Sequence, residues 1–369
     1  MKIGLNLLYL LPGQVGGTET YATELMRALN RTVEGDEFIV FLNSESANFH
    51  IPASPKFRKI ICGVRANNRV KRYLFEQFVL PFLVSWYRVD ILHSLGYVGP
   101  ILLLQKHIIT IHDANFVRLS WLMSSVKRRV YGLIARLSAR TCNHIITISS
   151  FAKEELVNCL GVISNKVTVV HHGAPLANEL ASGDGWPHDL AEHHPYVLVL
   201  GGGSRHKNIC SFVRSFVRVQ DRFPHKLVIA GRLSDSLGDL PEALELIESG
   251  RIIITGFLGD ADLDAAYRGA DLLVFPTLYE GFGLPILEAQ ARSVPVLCSR
   301  IASLPEIGGN SVAYFNPTSV DDMAEKLADL LRKPDVMKIL IKLGHENLRR
   351  FTWEQAATET HALYRRISA

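Results

Sequence analysis

Cysteine is scarce in this chain, and its cysteines are isolated from one another in the sequence. Its 369 residues include five cysteines, an odd number, and no two of them form a Cys-x-x-Cys motif. This spacing argues against a disulfide scaffold and against a metal or redox site of the Cys-x-x-Cys type. The sequence therefore predicts free thiols in a reducing cytosol at Cys62, Cys142, Cys159, Cys210 and Cys298.

Long apolar runs and runs of one charge are also missing. The longest apolar stretches, such as Phe78–Tyr87 and Val98–Leu104, fall short of the roughly 20 residues that a spanning helix needs. The first residues, Met1–Asn6, lead straight into a predicted strand and lack the pattern of a signal peptide. A net charge of +4 without a lysine- or arginine-only run argues against a nucleic-acid partner. We expect a cytoplasmic protein without a transmembrane segment.

The chain does contain a repeated alternation of short β-branched runs with longer segments of helical period. This alternation is typical of parallel sheets covered on both faces, so the predicted fold class is α/β. The length exceeds what one hydrophobic core usually supports, and the periodicity fails between His171 and Pro195. We predict two Rossmann-like domains, residues 1–185 and 186–351, and a C-terminal helix, residues 352–369, that packs across both.

The predicted strands form two sets. The first half supplies Ile3–Leu8, Glu37–Leu42, Ile91–His93, His107–Ile111, His144–Thr147 and Lys166–Val170. The second half supplies Tyr196–Leu200, Lys226–Ala230, Ile252–Thr255, Leu272–Phe275 and Pro295–Cys298. Between the last two strands of the first set, Ser149 and Ser150 suit the start of a helix, with Ser150 taken as its N-cap, and Gly161 suits its end.

The segment richest in chemistry follows the strand Leu272–Phe275 and opens a helix. Gly281 and Gly283 let the backbone approach a ligand closely, and the unpaired amides of a helix start attract phosphate. Glu280 and Glu288, eight positions apart, would repel phosphate but accept hydrogen bonds from hydroxyls. A ligand with a central diphosphate, a sugar at one end and a ribose at the other fits this description. Such a ligand is a nucleotide sugar.

Residues 280–289, EGFGLPILEA, match the Glu-x7-Glu signature of the family 4 retaining glycosyltransferases without departure. The resemblance implies the GT-B fold, two facing Rossmann-like domains with the active site in the cleft. It implies that Glu280 holds hydroxyls of the transferred sugar and that Glu288 binds the nucleotide ribose, although Glu288 could instead only complement a helix dipole. The phosphate would be held by the amides of Gly281, Phe282, Gly283 and Leu284.

The resemblance covers nearly the whole chain. It includes Gly16-Gly17-Thr18-Glu19, Ile111-His112-Asp113 and Phe351-Thr352-Trp353. By this similarity Gly16 and Gly17 let the backbone pass close to the donor phosphate or the acceptor. Two roles stay open for Glu19, facing the acceptor or opening its helix. His112 is predicted at the reacting carbon, the alternative being a buried polar residue. The glycine pair lacks the GxGxxG spacing of a dinucleotide site, which disfavours an NAD enzyme.

Arg205, His206 and Lys207 follow a predicted strand that ends in glycines. Cations at this place would neutralise a leaving diphosphate. Lys207 is the preferred phosphate ligand, and Arg205 is a second candidate; surface charges on a turn are the alternative for both. Family members commonly carry Arg-Lys-Asn here, whereas this chain has His206 before Lys207. The usual arginine is thus absent or replaced by Arg205.

No metal or cofactor is expected. The resemblance includes no DxD motif, and the pair His171-His172 has no third ligand at a suitable spacing. The resemblance is loosely closest to bacterial mannosyltransferases that build surface polysaccharides such as O-antigen. It therefore suggests GDP-mannose as the donor, with UDP-sugars as the alternative.

Two basic, aromatic stretches bear on the acceptor. Residues 65–88 and 121–131 combine arginine and lysine with large apolar side chains. They predict either peripheral contact with an anionic membrane and a lipid-linked oligosaccharide acceptor, or ordinary amphipathic core helices. In the first case the protein acts at the inner face of the cytoplasmic membrane. A saccharide acceptor stays the alternative to a lipid-linked one.

The resemblance implies a hexosyltransferase that retains anomeric configuration. Same-face attack would let the leaving phosphate oxygen take the acceptor's proton, with Lys207, Arg205 and helix amides stabilising the developing charge. Two rivals stay open: a UDP-sugar 2-epimerase of the same architecture, and a donor-binding protein without activity.

Overall fold

The structure of the protein is a computed structural model. It gives only the backbone of helix residues 125–131. The described residues are 1–13, 16–114, 125–175, 193–202, 204–231 and 241–369.

The first sheet is parallel throughout, with the order β3-β2-β1-β4-β5-β6-β7 among the described strands. Most of its inner strands are buried over nearly their whole length, which explains their continuous apolar sequences. The sequence prediction missed β3, because two basic residues, Arg58 and Lys59, interrupt its apolar pattern at this sheet edge. The strands are β1 Lys2–Leu7, β2 Glu37–Leu42, β3 Phe57–Ile61, β4 Ile91–Ser94, β5 Lys106–Thr110, β6 His144–Thr147 and β7 Val167–Val169.

The second sheet is also parallel, with the order β10-β9-β8-β11-β12-β13. The five predicted strands are present, three of them with the predicted bounds. The edge strand β13 was missed because its three residues are too few to show a period. The strands are β8 Tyr196–Leu200, β9 Lys226–Ala230, β10 Ile252–Gly256, β11 Leu272–Phe275, β12 Val296–Ser299 and β13 Ala313–Phe315.

Helices cover these sheets. In the first half they are α1 Gly17–Thr32, α2 Arg69–Leu74, α3 Leu80–Trp86, α4 Ser125–Thr141 and α5 Ser150–Leu160, with a π-helical turn Phe75–Val79 between α2 and α3. In the second half they are α6 Ile209–Val219, α7 Pro241–Glu248, α8 Asp260–Arg268, α9 Leu284–Ala291, α10 Leu304–Gly308, α11 Val320–Leu331, α12 Pro334–Leu348 and α13 Trp353–Ser368.

Two helix termini test the sequence prediction directly. The N-cap of α5 is Ser149, whose side chain accepts a hydrogen bond from the Ala152 amide, so the assignment of this role to Ser150 was wrong. Ser150 is instead the first helical residue. At the other end Gly161 adopts the predicted left-handed conformation, with φ 64° and ψ 33°.

The described chain divides into two compact units. Unit 1 contains Met1–Gly173 and Phe351–Ala369, and unit 2 contains Ala174–Arg350. The predicted boundary after residue 185 lies outside the described residues. The final helix α13 belongs to unit 1, where Arg31 of α1 donates to Glu354 at 2.8 Å. Its packing across both domains stays a prediction.

Each sheet contains one point at which the strand order reverses. In unit 1 β1 lies between β2 and β4, and in unit 2 β8 lies between β9 and β11. Neighbouring loops leave the carboxyl ends of such strands in opposite directions, which opens a crevice where ligands bind in parallel α/β sheets. In unit 2 the loops after β8 and β11 are the segments that carry Lys207 and Glu280.

Candidate functional site

The loops after β8 and β11 are in direct contact in unit 2. The main-chain oxygen of His206 accepts hydrogen bonds from the Leu278 amide at 2.7 Å and from Thr277 Oγ1 at 3.0 Å. These bonds place the next residue, Lys207, beside Glu280, and their charged atoms Nζ and Oε2 lie 3.0 Å apart. Lys207 and Glu280, which the sequence analysis selected separately, therefore form an ion pair.

The environment of this ion pair suits ligand binding. The side chains of Lys207 and Glu280 are 27% and 22% exposed, so both are partly shielded from water yet accessible. The Lys207 ammonium also lies 5.1 Å from the centre of the Phe275 ring, at the end of β11. A positioned ammonium can meet a phosphate oxygen, while the free lone pairs of the carboxylate can accept hydrogen bonds from sugar hydroxyls.

The helix α9 begins directly after this pair. Gly283 precedes its first residue with φ 111° and ψ 42°, a conformation that side-chain-bearing residues rarely adopt. A Cβ atom at this position would lie 2.7 Å from Cδ2 of Leu304. Glycine is therefore required here on two grounds. The amides at the start of α9 follow this turn, where the helix dipole favours an anion.

Ser303 holds the turn in place, and the sequence analysis missed it. Its fully buried hydroxyl lies 2.9 Å from the main-chain oxygen of Glu280 and 2.8 Å from that of Phe282, and its single hydrogen is shared between these two acceptors. Ser303 stands just before α10 in a Ser-Leu-Pro-Glu segment, which signals a helix start. No sequence pattern predicts a hydrogen bond from this hydroxyl to main-chain oxygens more than twenty positions earlier.

Glu288 lies beyond the first turn of α9 and is fixed by neighbours that the sequence analysis also missed. Its Oε2 accepts a hydrogen bond from the Tyr267 hydroxyl at 2.7 Å, and Arg292 donates to its main-chain oxygen at 2.8 Å. Burial raises the pKa of the Glu288 carboxyl, while Tyr267, Arg292 and Lys207 act in the opposite direction. The result is an oriented acceptor that suits ribose hydroxyls.

The neighbouring basic residues differ in exposure. Arg205 is exposed at the start of a short 3₁₀ turn, Arg205–Lys207. His206 is half-buried, and burial together with the Lys207 charge lowers the pKa of its imidazole. The structure therefore keeps Lys207 next to Glu280 and leaves Arg205 towards solvent.

In unit 1 the predicted glycines begin α1. Gly16 has φ 58° and ψ −129° and is open to solvent, while Gly17 is the first helical residue. Glu19 accepts a hydrogen bond from the Gly13 amide at 2.8 Å, so its carboxylate closes the loop before the helix. This bond gives Glu19 a local structural role.

His112 follows β5 in unit 1 and is 4% exposed. Its Nε2 lies 3.3 Å from the main-chain oxygen of Leu95, and the rings of Tyr21 and His172 stand edge-on to it. Burial lowers the pKa of His112 to about 4, so its imidazole is neutral at pH 7. A neutral ring can donate or accept one hydrogen bond but supplies no charge.

The next feature is the arrangement of possible metal ligands. Within the described ranges, no group of three or more histidine, cysteine, aspartate or glutamate side chains is arranged to hold a metal ion. His172 is stacked between the rings of Tyr21 and Trp353 at centroid distances of 4.9 and 5.5 Å.

A helical segment in unit 1, residues 69–86, presents apolar side chains to solvent. Arg65, Arg69 and Lys71 are exposed beside it. These cations and Leu74 and Phe78 line an open groove of about 1320 Å³. We call the outward row the apolar face; its members and exposed fractions are Val70 69%, Leu74 53%, Phe78 75%, Phe82 64% and Trp86 71%.

The second basic stretch, residues 121–131, lies outside the described side chains. In the part of the chain that the structure covers, no helix is both long and apolar enough to cross a membrane.

Comparisons with known proteins identify the family. The model described as Glycosyl transferases group 1 matches residues 194–333, and the model described as Glycosyltransferase Family 4 matches residues 15–178. Together they cover most of the chain. A curated relative, O-antigen chain mannosyltransferase B of Escherichia coli, is 27% identical over 279 residues, which are 71% of each chain.

Solved structures share the fold. Sucrose-phosphate synthase from Thermosynechococcus elongatus superposes with a TM-score of 0.75 at 19% identity, over 100% of this chain and 99% of that chain. The Anabaena protein Alr3699/HepE, solved in complex with UDP and glucose, has a TM-score of 0.69 at 15% identity over 99% of each chain. The chain thus belongs to glycosyltransferase family 4, has the GT-B fold, and is an enzyme that transfers a glycosyl group.

Proposed function

We propose that this enzyme is a retaining hexosyltransferase that moves mannose from GDP-mannose to a saccharide hydroxyl in surface polysaccharide synthesis. The observation that carries the proposal is the Lys207–Glu280 ion pair, 3.0 Å long, at the crevice of unit 2 and just before α9. The name of the curated relative, an O-antigen chain mannosyltransferase, supports mannose as the sugar.

Each part of the site has one task in this proposal. Lys207 and the first amides of α9 hold the diphosphate and stabilise the charge that develops on it as the sugar departs. Glu280 accepts hydrogen bonds from the sugar hydroxyls, and Glu288, oriented by Tyr267, accepts those of the ribose. The leaving phosphate oxygen takes the proton of the attacking hydroxyl on the same face. Because Lys207 and the helix amides supply the positive charge, the reaction proceeds without a metal.

Donor binding is tested by isothermal calorimetry with GDP, GDP-mannose, UDP and UDP-glucose, with magnesium and with EDTA. We expect selective binding of the guanine pair, unchanged by EDTA and weakened at least 10-fold in Glu288→Ala, which loses a hydrogen-bonded acceptor. Glu346→Ala, an exposed glutamate on α12, is the matched control and should bind as the parent does. Binding of none of the four compounds would refute a nucleotide-sugar donor.

Retention is tested without knowing the acceptor. Incubation with GDP-mannose alone gives slow hydrolysis, and proton NMR identifies the anomer of mannose that forms first. A retaining enzyme releases α-mannose from this α-linked donor, whereas β-mannose formed first contradicts the mechanism. The same incubation with UDP-sugars exposes a 2-epimerase, because an epimerised free sugar would then accumulate.

The apolar face of residues 69–86 supports a second part of the proposal, contact with an anionic membrane surface. Its five outward apolar side chains would enter the lipid interface, and the exposed Arg65, Arg69 and Lys71 beside them complement anionic headgroups. Such contact would bring the enzyme to a lipid-linked oligosaccharide acceptor at the inner face of the cytoplasmic membrane.

Vesicle co-sedimentation tests this contact. We expect binding to vesicles that contain phosphatidylglycerol, weaker binding to pure phosphatidylcholine, and loss of binding in the double variant Phe78→Ser/Phe82→Ser. Phe257→Ser is the matched control, because Phe257 is 80% exposed in unit 2. If the parent dimerises through this face in analytical ultracentrifugation and ignores vesicles, the face is a protein interface and membrane contact is refuted.

A further inference from the structure

His206 occupies a constrained position in the donor site of unit 2. Its main-chain oxygen accepts from the Leu278 amide and from Thr277 Oγ1, so its backbone is fixed against the loop that carries Glu280. Both bonds involve the main chain, and a substitution of the side chain leaves them intact. The fold therefore fixes the backbone of His206 next to Lys207 and against the loop that carries Glu280, and both charges act on its imidazole.

The ring itself is unsatisfied. Its Nδ1 is buried and has no hydrogen-bond partner among the residues that the structure describes. A buried polar atom without a partner is costly, and such an atom in a native protein calls for an explanation, a catalytic role being one. The charged groups that act on the ring are Lys207, which disfavours a proton there, and Glu280, which favours one.

We propose that His206 is the second cation of the donor site and takes up a proton when the donor diphosphate binds. This inference rests on the proposed function. Lys207 is already paired with Glu280, so its charge is partly compensated before the donor arrives. A diphosphate brings two negative charges, and a protonated imidazole next to Lys207 adds a positive charge that partly offsets them.

Donor binding should change the affinity of the His206 imidazole for a proton. Burial and Lys207 lower the pKa of His206, so the ring is neutral at pH 7 before the donor binds. Phosphate charges beside the ring favour its charged form. Donor affinity therefore increases as the pH falls through neutrality, and binding removes protons from the buffer. Arg205, by contrast, is exposed.

The test is calorimetry of GDP-mannose binding in PIPES and in Tris at each of several pH values from about 6.5 to 8. GDP-mannose suits this test because both of its phosphates are esterified and do not titrate near neutrality. The difference in heat between the two buffers gives the number of protons taken up. We expect up to one proton in the parent, with a maximum towards the acidic end.

Three variants isolate the residue. His206→Gln should lose the proton uptake and bind roughly 10-fold more weakly at pH 6.5, as expected for one charge-assisted hydrogen bond. His206→Arg should bind with parental affinity but without proton uptake. His225→Gln is the matched control and should keep it: His225 is also half-buried with an unpartnered Nδ1, but precedes β9 at the opposite end of the sheet.

The outcomes separate the two proposals. Failure of both GDP-mannose and UDP-glucose to bind the parent overturns the proposed function and this inference together. Binding with equal proton uptake in the parent and in His206→Gln overturns this inference alone. This inference is also overturned if Arg205→Gln abolishes the pH dependence of donor affinity while His206→Gln preserves it.

Discussion

Glu76 is a carboxylate buried in unit 1 at an energetic cost that can be measured. It lies in the π-helical turn Phe75–Val79 and is 2% exposed. Its Oε2 has no hydrogen-bond partner within the described part of the chain. Burial raises its pKa to about 7, although the nearby Arg72 charge and a hydrogen bond from Asn6 act in the opposite direction. Replacement by glutamine keeps the shape and removes the charge.

The sign of the effect follows from proton linkage. Folded protein retains the Glu76 proton up to about pH 7, whereas the unfolded chain releases it near its ordinary pKa of 4.5. The folded state thus binds more protons in this window, and the free energy of unfolding falls as the pH rises through it. With about 1.4 kcal/mol for each pKa unit, ionised Glu76 destabilises the fold by about 3 kcal/mol above pH 7.

The assay is urea unfolding of the parent and of Glu76→Gln between about pH 4 and pH 8, followed by tryptophan fluorescence, to which Trp353, buried in unit 1, contributes. The two proteins should be similar in stability at the acidic end, where Glu76 is neutral, which provides an internal control. Towards pH 8 the variant should become more stable by about 3 kcal/mol. A difference between the two proteins that stays constant across this range would refute the buried, uncompensated carboxylate.

Three further predictions concern the donor site. Lys207→Ala should lower kcat about 100- to 1000-fold while leaving the unfolding curve unchanged, as for loss of one preorganised charge; an unaltered rate of donor turnover would exclude a catalytic role. Ser303→Ala should cost about 1–3 kcal/mol of stability because it removes the buried hydroxyl that holds the Glu280 turn, whereas Ser215→Ala, which loses only a bond within its own helix, should cost less in the same urea titration. Tyr267→Phe removes the donor to Glu288 and should weaken GDP binding about 3- to 10-fold in calorimetry, more at lower pH because the carboxyl then protonates more readily; equal affinities would contradict the orienting role.

The unit 2 elements around the donor site were predictable because their signals are local. The strand before Glu280, the glycine turn and the start of α9 follow one another within a single segment, and each has its own residue signature. The pairing of Lys207 with Glu280 follows from topology, since β8 and β11 are neighbours at the point where the strand order reverses. Sequence reasoning placed Lys207 at the diphosphate and Glu280 at the sugar hydroxyls of one ligand but did not derive their contact.

The parts that sequence reasoning missed depend on contacts between distant residues. Ser303 and Tyr267 reach the site from elements whose own sequences indicate only a helix start and a buried aromatic. Their hydroxyls become functional only when the tertiary fold brings them within hydrogen-bond distance of the turn or of Glu288. The edge strand β3 was also missed, because Arg58 and Lys59 break its apolar pattern. Such residues are tolerated only at an exposed sheet edge, and the edge position becomes known only from the fold.

The segment 69–86 shows why its sequence permitted two interpretations. Apolar residues occur on nearly every side of it, so periodicity alone does not select a buried face. The fold buries the row Glu76, Leu80 and Val84, at 2%, 0% and 0% exposure, and leaves Phe78 and Trp86 outward at 75% and 71%.

This arrangement is unfavourable on stability grounds alone. It puts the Glu76 carboxyl group in the core and leaves the rings of Phe78 and Trp86 in water. Proteins depart from the most stable local choice mainly where function requires it. The cost of burying Glu76 and the outward apolar face are therefore two aspects of one arrangement. The proposed contact with a lipid interface would require the aromatic side chains outside, and that requirement would account for both.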